Sequence, residues 1–170
     1  SPESFTLSVG GVAGTGNITD TNAPAITHVG DTDPAIDSVT VPEGTAAVFT
    51  VNLSTAPFAD TAFALNLASG SATLGADFTS GLSFSNGVTL VGGNVVVPAG
   101  VTSFTVSVPT LTDSINEQSP ESFTLSVGGV AGTGNITDTN TPAITHVGDG
   151  SINSVTVRSE ERRVGKECVY

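Results

Sequence analysis

Thr45-Ala46-Ala47-Val48-Phe49-Thr50-Val51-Asn52-Leu53 alternates: Ala47, Phe49, Val51 and Leu53 fall on one side of an extended chain, and Val48, Thr50 and Asn52 on the other. A side-chain period of two is that of a strand with one face against a core. Working outward, the same alternation returns at Phe63, Leu65 and Leu67, at Phe104, Val106 and Val108, and at Phe123, Leu125 and Val127. Between these runs stand clusters that favour turns, among them Ser85-Asn86-Gly87 and Pro98-Ala99-Gly100. No stretch carries a sustained helical period. Strands are expected at 36–41, 45–53, 61–67, 81–84, 87–90, 94–97, 101–108, 121–127 and 132–137. So many short antiparallel strands in one unit predict an all-β fold, a two-sheet β-sandwich of immunoglobulin-like shape. A unit of this size buries an adequate core by itself, so a bound cation would stiffen the fold rather than create it.

The chain also repeats itself. Residues 1–31 return at 119–149 with one difference, Ala23 against Thr141, at an offset of 118 residues, since Ser1 recurs as Ser119. That period is too long for a solenoid unit and suits a whole small domain, which predicts tandem beads with separate cores. The expected organisation is the C-terminal strands of a preceding repeat at 1–22, a complete sandwich at 23–140 and the start of a further repeat at 141–157. Asn22 and Asn140 mark the boundaries, because the proline that follows each cannot continue a central strand. The repeat pattern then stops abruptly. Residues 158–170 contain Arg158-Ser159-Glu160-Glu161-Arg162-Arg163-Val164-Gly165-Lys166-Glu167-Cys168, which looks like the conceptual translation of a sequencing-adapter oligonucleotide, and they are read as non-native.

Setting that tail aside changes the electrostatics. All four basic residues (Arg158, Arg162, Arg163 and Lys166), the single Cys and the single Tyr lie in it. Of the sixteen acidic residues, Glu160, Glu161 and Glu167 are also there, so thirteen carboxylates over residues 1–157 face no Lys or Arg. Nucleic acid and anionic membrane surfaces are disfavoured as partners, because both require a cationic footprint. Divalent cations are the natural counter-charge. A body without Cys, Met or Trp fits an extracellular bacterial protein, and no run is long and apolar enough to insert into a bilayer.

Five ordered motifs add a resemblance. Val-Pro-Glu-Gly-Thr at 41–45, Gly-Ser-Ala-Thr-Leu-Gly-Ala-Asp-Phe at 70–78, Val-Pro-Ala-Gly-Val-Thr-Ser-Phe-Thr-Val at 97–106, Asp-Ser-Ile-Asn-Glu-Gln-Ser-Pro-Glu-Ser-Phe-Thr-Leu at 113–125 and Gly-Asn-Ile-Thr-Asp at 134–138 resemble the Calx-beta domain. More closely, the chain is similar to the Calx-beta-like, immunoglobulin-like extender repeats of very large bacterial adhesins exported by type I secretion (RTX adhesins). The resemblance implies a β-sandwich that binds Ca2+ at the end of the domain and at the joint with its neighbouring repeat. It also implies an extracellular, cell-surface location and a role in adhesion or biofilm formation. By motif it assigns metal ligation to Glu43, to Asp77, to Asp113, Glu117 and Glu121 in the acidic loop, and to Asp138 with its copy Asp20 after the closing strand. Family members often pair or triple the aspartates in these loops, whereas Thr112-Asp113 and Asp138-Thr139-Asn140 are thinner, which lowers the expectation to one or two calcium sites per joint. The same residues make sense by themselves: calcium takes several oxygen ligands, and acids in loops at strand ends can converge on one pole of a sandwich. The competing reading is that they are solvated loop carboxylates.

Other chemistry has less support. His28 and His146 occupy the same repeat position without a companion Cys or His for zinc, and are read as surface or linker residues. Asp31, Asp33 and Asp37 lack the Gly and terminal Glu of an EF-hand, and are read as variable linker chemistry. Gly10-Gly11-Val12-Ala13-Gly14-Thr15-Gly16 is flanked by strands and followed by no Lys, so it is a hairpin turn rather than a phosphate loop. No Gly-x-Ser-x-Gly elbow occurs, and no catalytic residues or enzymatic activity are expected. The alternative function is a calcium-dependent carbohydrate-binding sandwich of a secreted protein, weakened because the body has no Trp or Tyr platform.

Overall fold

Alternation in the sequence becomes alternation in burial. In the computed structural model, which describes residues 3–19, 22–117 and 119–140 together with 143, 144 and 147, Ala47, Phe49, Val51 and Leu53 are buried while Val48 is exposed. The expected repeat start at 141–157, save for those three residues, the tail at 158–170, and the positions Asp20 and His146 lie outside the described residues.

Twelve strands and no helix are described. They are β1 (Glu3–Val9), β2 (Val12–Ile18), β3 (Ile26–Gly30), β4 (Ser38–Pro42), β5 (Ala47–Leu53), β6 (Thr61–Ser69), β7 (Ser83–Phe84), β8 (Thr89–Val91), β9 (Asn94–Val97), β10 (Ser103–Val108), β11 (Glu121–Val127) and β12 (Val130–Thr137). β3 to β12 form two sheets, one of four strands in the order β3-β5-β10-β7 and one of six in the order β4-β12-β11-β6-β9-β8. β1 and β2 pair with each other alone. All nine strands expected from the sequence are present, and the fold is all-β.

Two features depart from the expectation. The larger sheet is mixed rather than antiparallel, because β4 runs parallel to β12, with Ser38 opposite Thr133 and Val41 opposite Ile136. β3 was not among the expected strands. It carries a bulge between Ile26 and His28, so Ile26, His28, Val29 and Gly30 are all buried and no period of two survives in the sequence.

One core joins the sheets. Phe49 of the smaller sheet meets Phe123 of the larger edge to face, with ring centroids 5.9 Å apart at 70°, and Phe78 stacks on Phe123 at 4.5 Å and 22°. The Phe123 ring lies across Gly134 on the neighbouring strand, where an added Cβ would stand 2.2 Å from the ring, so only glycine fits beneath it. Gly128 and Gly129 close this hairpin with φ of 57° and 87°, the positive values a two-residue type I′ turn requires.

The strand directions give the sandwich two distinct ends. Ile26 pairs with Leu53 and, like the Gly128-Gly129 turn that it packs against, lies at one end. The start of β5, the end of β10, the start of β11 and the end of β12 lie at the other, as the pairing of Val108 with Ala47 and of Glu121 with Ile136 requires. The chain therefore enters the sandwich at one end and leaves it at the opposite end.

Candidate metal centre

The exit end collects the acids. Glu43 sits in the turn after β4, and its backbone N–H donates to the Thr137 carbonyl at 3.1 Å, which ties that turn to the end of β12. Asp77 belongs to the turn 73–78, held beside the segment after β10 by Leu111 N–H to the Asp77 carbonyl at 2.8 Å and Thr79 N–H to the Pro109 carbonyl at 3.0 Å. Asp113 and Glu117 stand in the loop between β10 and β11, Glu121 opens β11, and Asp138 follows β12 directly. Long-range loops thus bring together the six described candidates, Glu43, Asp77, Asp113, Glu117, Glu121 and Asp138. All but Asp113, which is exposed, are half-buried.

Within this group, Asp77, Glu117 and Glu121 each offer a carboxylate oxygen within 4.8 Å of the others. One cation about 2.3–2.6 Å from each ligand spans oxygens up to about 5 Å apart, so the three fit a single ion. Glu43 contributes a second observation: its Oε2 is buried and, among the described residues, has no hydrogen-bond partner. An unpartnered buried carboxylate oxygen carries a desolvation cost that a cation would remove.

Proton affinities reflect the crowding. The Glu43 carboxyl is raised above the usual glutamate range, first by burial and then by the negative charges of Asp138, Asp113 and Glu117, partly offset by a hydrogen bond from the Asp113 backbone. Glu117 is raised by desolvation and by Asp113, Asp77 and Asp138. Glu121 is raised by desolvation and then by Asp77, Glu117, Glu43 and Asp113. Three glutamates that resist ionising, with no Lys or Arg among the described residues, form a pocket of uncompensated negative potential.

Backbone donors fix the aspartates. Asp138 accepts from the Glu117 N–H at 2.8 Å, the Asn140 N–H at 2.6 Å and the Asn116 side chain at 3.1 Å. Asp77 accepts from the Thr73 N–H at 2.6 Å, and Asp113 from the Ile115 N–H at 2.7 Å. The sequence reading missed Asn116 and Asn140, which lock the acidic loop to the exit: the Asn140 amide donates to the Asp113 and Ile115 carbonyls at 3.1 and 3.3 Å, and the Asn116 amide donates to the Asn140 carbonyl. Their signal was present in the Asx-rich runs 113–117 and 138–140, since Asn side chains in loops bond to nearby backbone. The donor set is entirely hard oxygen, the kind of ligand that Mg2+, Ca2+ and Mn2+ take.

His28 is a correction. It is 3% exposed rather than a surface or linker residue. The loop 31–37 folds over it, with Nδ1 3.1 Å from Asp37 Oδ1 and Nε2 2.9 Å from the Asp31 carbonyl oxygen. Asp31, Asp33 and Asp37 accordingly shape a closed loop inside the sandwich unit, where Asp33 also accepts from the Ala35 N–H at 3.0 Å.

No family model matches the chain, and no curated protein matches it. Among solved structures, domains 1–6 of the surface layer protein SbsC align with a TM-score of 0.38 and 18% identity, over 86% of this chain and 17% of that one.

Proposed function

We propose that this chain is a calcium-stabilised structural extender: an immunoglobulin-like, Calx-beta-like repeat of a large secreted adhesin on a bacterial surface, serving to hold a distal binding region away from the cell. The carrying observation is that the chain enters at one end of the sandwich and leaves through the acidic end, at Asp138 and Asn140. Beads joined in that way run head to tail, and each acidic end faces the joint with its neighbour. The ordered sequence motifs and the 118-residue offset support the same reading.

The residues have separable tasks under this proposal. Asp77, Glu117 and Glu121 form the nearest set of ligands, and Glu43 offers its free Oε2. Asp138 ties the acidic loop to the segment after β12 by accepting from the Glu117 and Asn140 N–H groups. Asp20 is the corresponding residue of the copy at 1–22. Calcium, when bound, supplies the positive charge that the body lacks and cancels repulsion at the joint.

Calorimetric titration of the full chain tests the site. Asp77→Asn should weaken calcium binding about tenfold or more, because Asp77 is one of the three grouped carboxylates and ligand charge count sets the affinity of such sites. Asp60→Asn should leave it unchanged, because Asp60 precedes the start of β6, at the end of the sandwich opposite the acidic end, where it accepts from the Ala99 N–H at 3.3 Å. Equal effects of the two would mean bulk screening rather than a site.

Small-angle scattering on a chain of several repeats tests the extender role. Calcium should raise the maximum dimension and the radius of gyration as pivoting joints lock. Unchanged dimensions in chelator, with the domains still folded, would make the array a passive spacer.

A further inference from the structure

Asn86-Gly87 is the one place in the 170 residues where glycine follows asparagine. It forms the tip of a tight turn. The Val88 N–H donates to the Ser85 carbonyl at 3.1 Å, and Asn86 and Gly87 take φ of 56° and 72°, the positive pair of a type I′ turn. Asn86 is exposed and, among the described residues, is the only non-glycine residue at positive φ. The turn carries the chain across a seam, from β7 on the edge of the smaller sheet to β8 on the edge of the larger one.

The side chain is tied down as well. Asn86 Nδ2 donates to the Ser103 carbonyl at 2.6 Å. Ser85 grips β10 beside it, its N–H donating to the Thr105 carbonyl at 3.2 Å and its Oγ accepting from the Thr105 N–H at 2.8 Å. Val88, the next residue, is buried in the core.

Asparagine followed by glycine is prone to lose its side-chain amide, because glycine has no Cβ to hinder ring closure. The Gly87 amide nitrogen gives up its proton and attacks Asn86 Cγ. The new N–C bond closes a five-membered succinimide while the Cγ–Nδ2 bond breaks, and Nδ2 leaves as ammonia with that proton. Water then adds to one of the two imide carbonyls and opens the ring to aspartate or isoaspartate. The closed turn opposes the first step twice: the Ser85–Val88 bond fixes the backbone around Gly87 N, and Nδ2 is held by Ser103. It also rejects the product. Aspartate would set a carboxylate oxygen against the Ser103 carbonyl, two acceptors with no proton between them. Isoaspartate would add a main-chain atom between Ser85 and Val88 and push Val88 from its seat.

We infer that Asn86-Gly87 is a deamidation site guarded by the fold: opening of the seam between β7 and β8 exposes the pair, and the acid formed there keeps the seam from closing again. Neither calcium nor the extender role enters this chemistry.

Mass spectrometry of peptides covering residue 86 tests the guard in the full chain, aged in warm, mildly alkaline buffer with and without urea. Conversion in urea should exceed that of the folded chain about tenfold or more, since a folded segment reacts only through its open fraction. Ser85→Ala removes the Oγ bond to β10 and leaves the Asn-Gly pair intact. It should speed conversion of the folded chain and leave the rate in urea unchanged. Asn86→Asp should lower the melting temperature more than Asn86→Gly, which suits a φ of 56° and brings no charge. Equal conversion with and without urea, or none in urea, would overturn the guarded site, and so would a folded rate that Ser85→Ala does not change. An Asn86→Asp chain that melts no lower than Asn86→Gly would overturn the one-way character of the opening.

Discussion

Phe123→Ala should destabilise the sandwich by about 3–5 kcal/mol, the range for removing a buried aromatic ring, and lower its melting temperature by about 10–20 °C. Phe5→Ala should leave the melting of the body unchanged, although Phe5 and Phe123 occupy the same place in identical sequence. Local propensity is therefore constant across the pair, and only tertiary cover differs: Phe123 is fully buried against Phe49 and Phe78, while Phe5 is 56% exposed. Thermal unfolding at low micromolar concentration, followed by circular dichroism, makes the comparison. Equal losses would mean that both hairpins are buried in solution, and a small loss at Phe123 would mean that the core closes around the gap.

That pair also shows why the fold was largely legible in the sequence. Strands with one buried face keep a strict period of two, and β5, β10 and β11 bury the residues the alternation selects. β3 was not legible because its bulge breaks the period, and its polar His28 is buried only by virtue of the loop that returns over it. The parallel pairing of β4 with β12 was equally hidden, since it joins segments 95 residues apart, as in Thr133 opposite Ser38, and no local pattern encodes such a partner. At the acidic end the residue types were readable, because acids beside Gly and Asn in loops fall at strand ends. Their grouping was not. That Asp77, Glu117 and Glu121 come within one ion's span depends on the turn 73–78 being pinned to residues 109–111, a contact between segments that no spacing reveals. The unpartnered Glu43 Oε2 is likewise a property of the packed loops.

The acidic end should make the calcium-free protein less stable at neutral pH than at mildly acid pH. Glu43, Glu117 and Glu121 each titrate above their ordinary value of 4.5 when folded. Between the ordinary value and the raised one, the folded chain holds more protons than the unfolded chain. Stability must therefore fall as pH rises through that window, the reverse of the behaviour of a salt-bridged carboxylate. In chelator, the melting temperature should be higher at about pH 5 than at about pH 7.5. Replacing Glu43 and Glu117 together by Gln should flatten that slope, which isolates their contribution. Calcium acts on the same groups with the opposite dependence, because its ligands must be ionised. With dissociation constants of about 0.1–1 mM, 10 mM calcium should add roughly 1.4–2.7 kcal/mol per site at neutral pH, and much less at pH 5, where protons compete. Magnesium should add far less, since it requires a tighter octahedral shell and dehydrates reluctantly. A calcium increment that is the same at both pH values and survives the double Gln substitution would assign the response to general screening of a highly acidic chain. If the increment vanishes with those glutamates and grows with pH, the negative charge that weakens the isolated sandwich is also what lets external calcium set its stability.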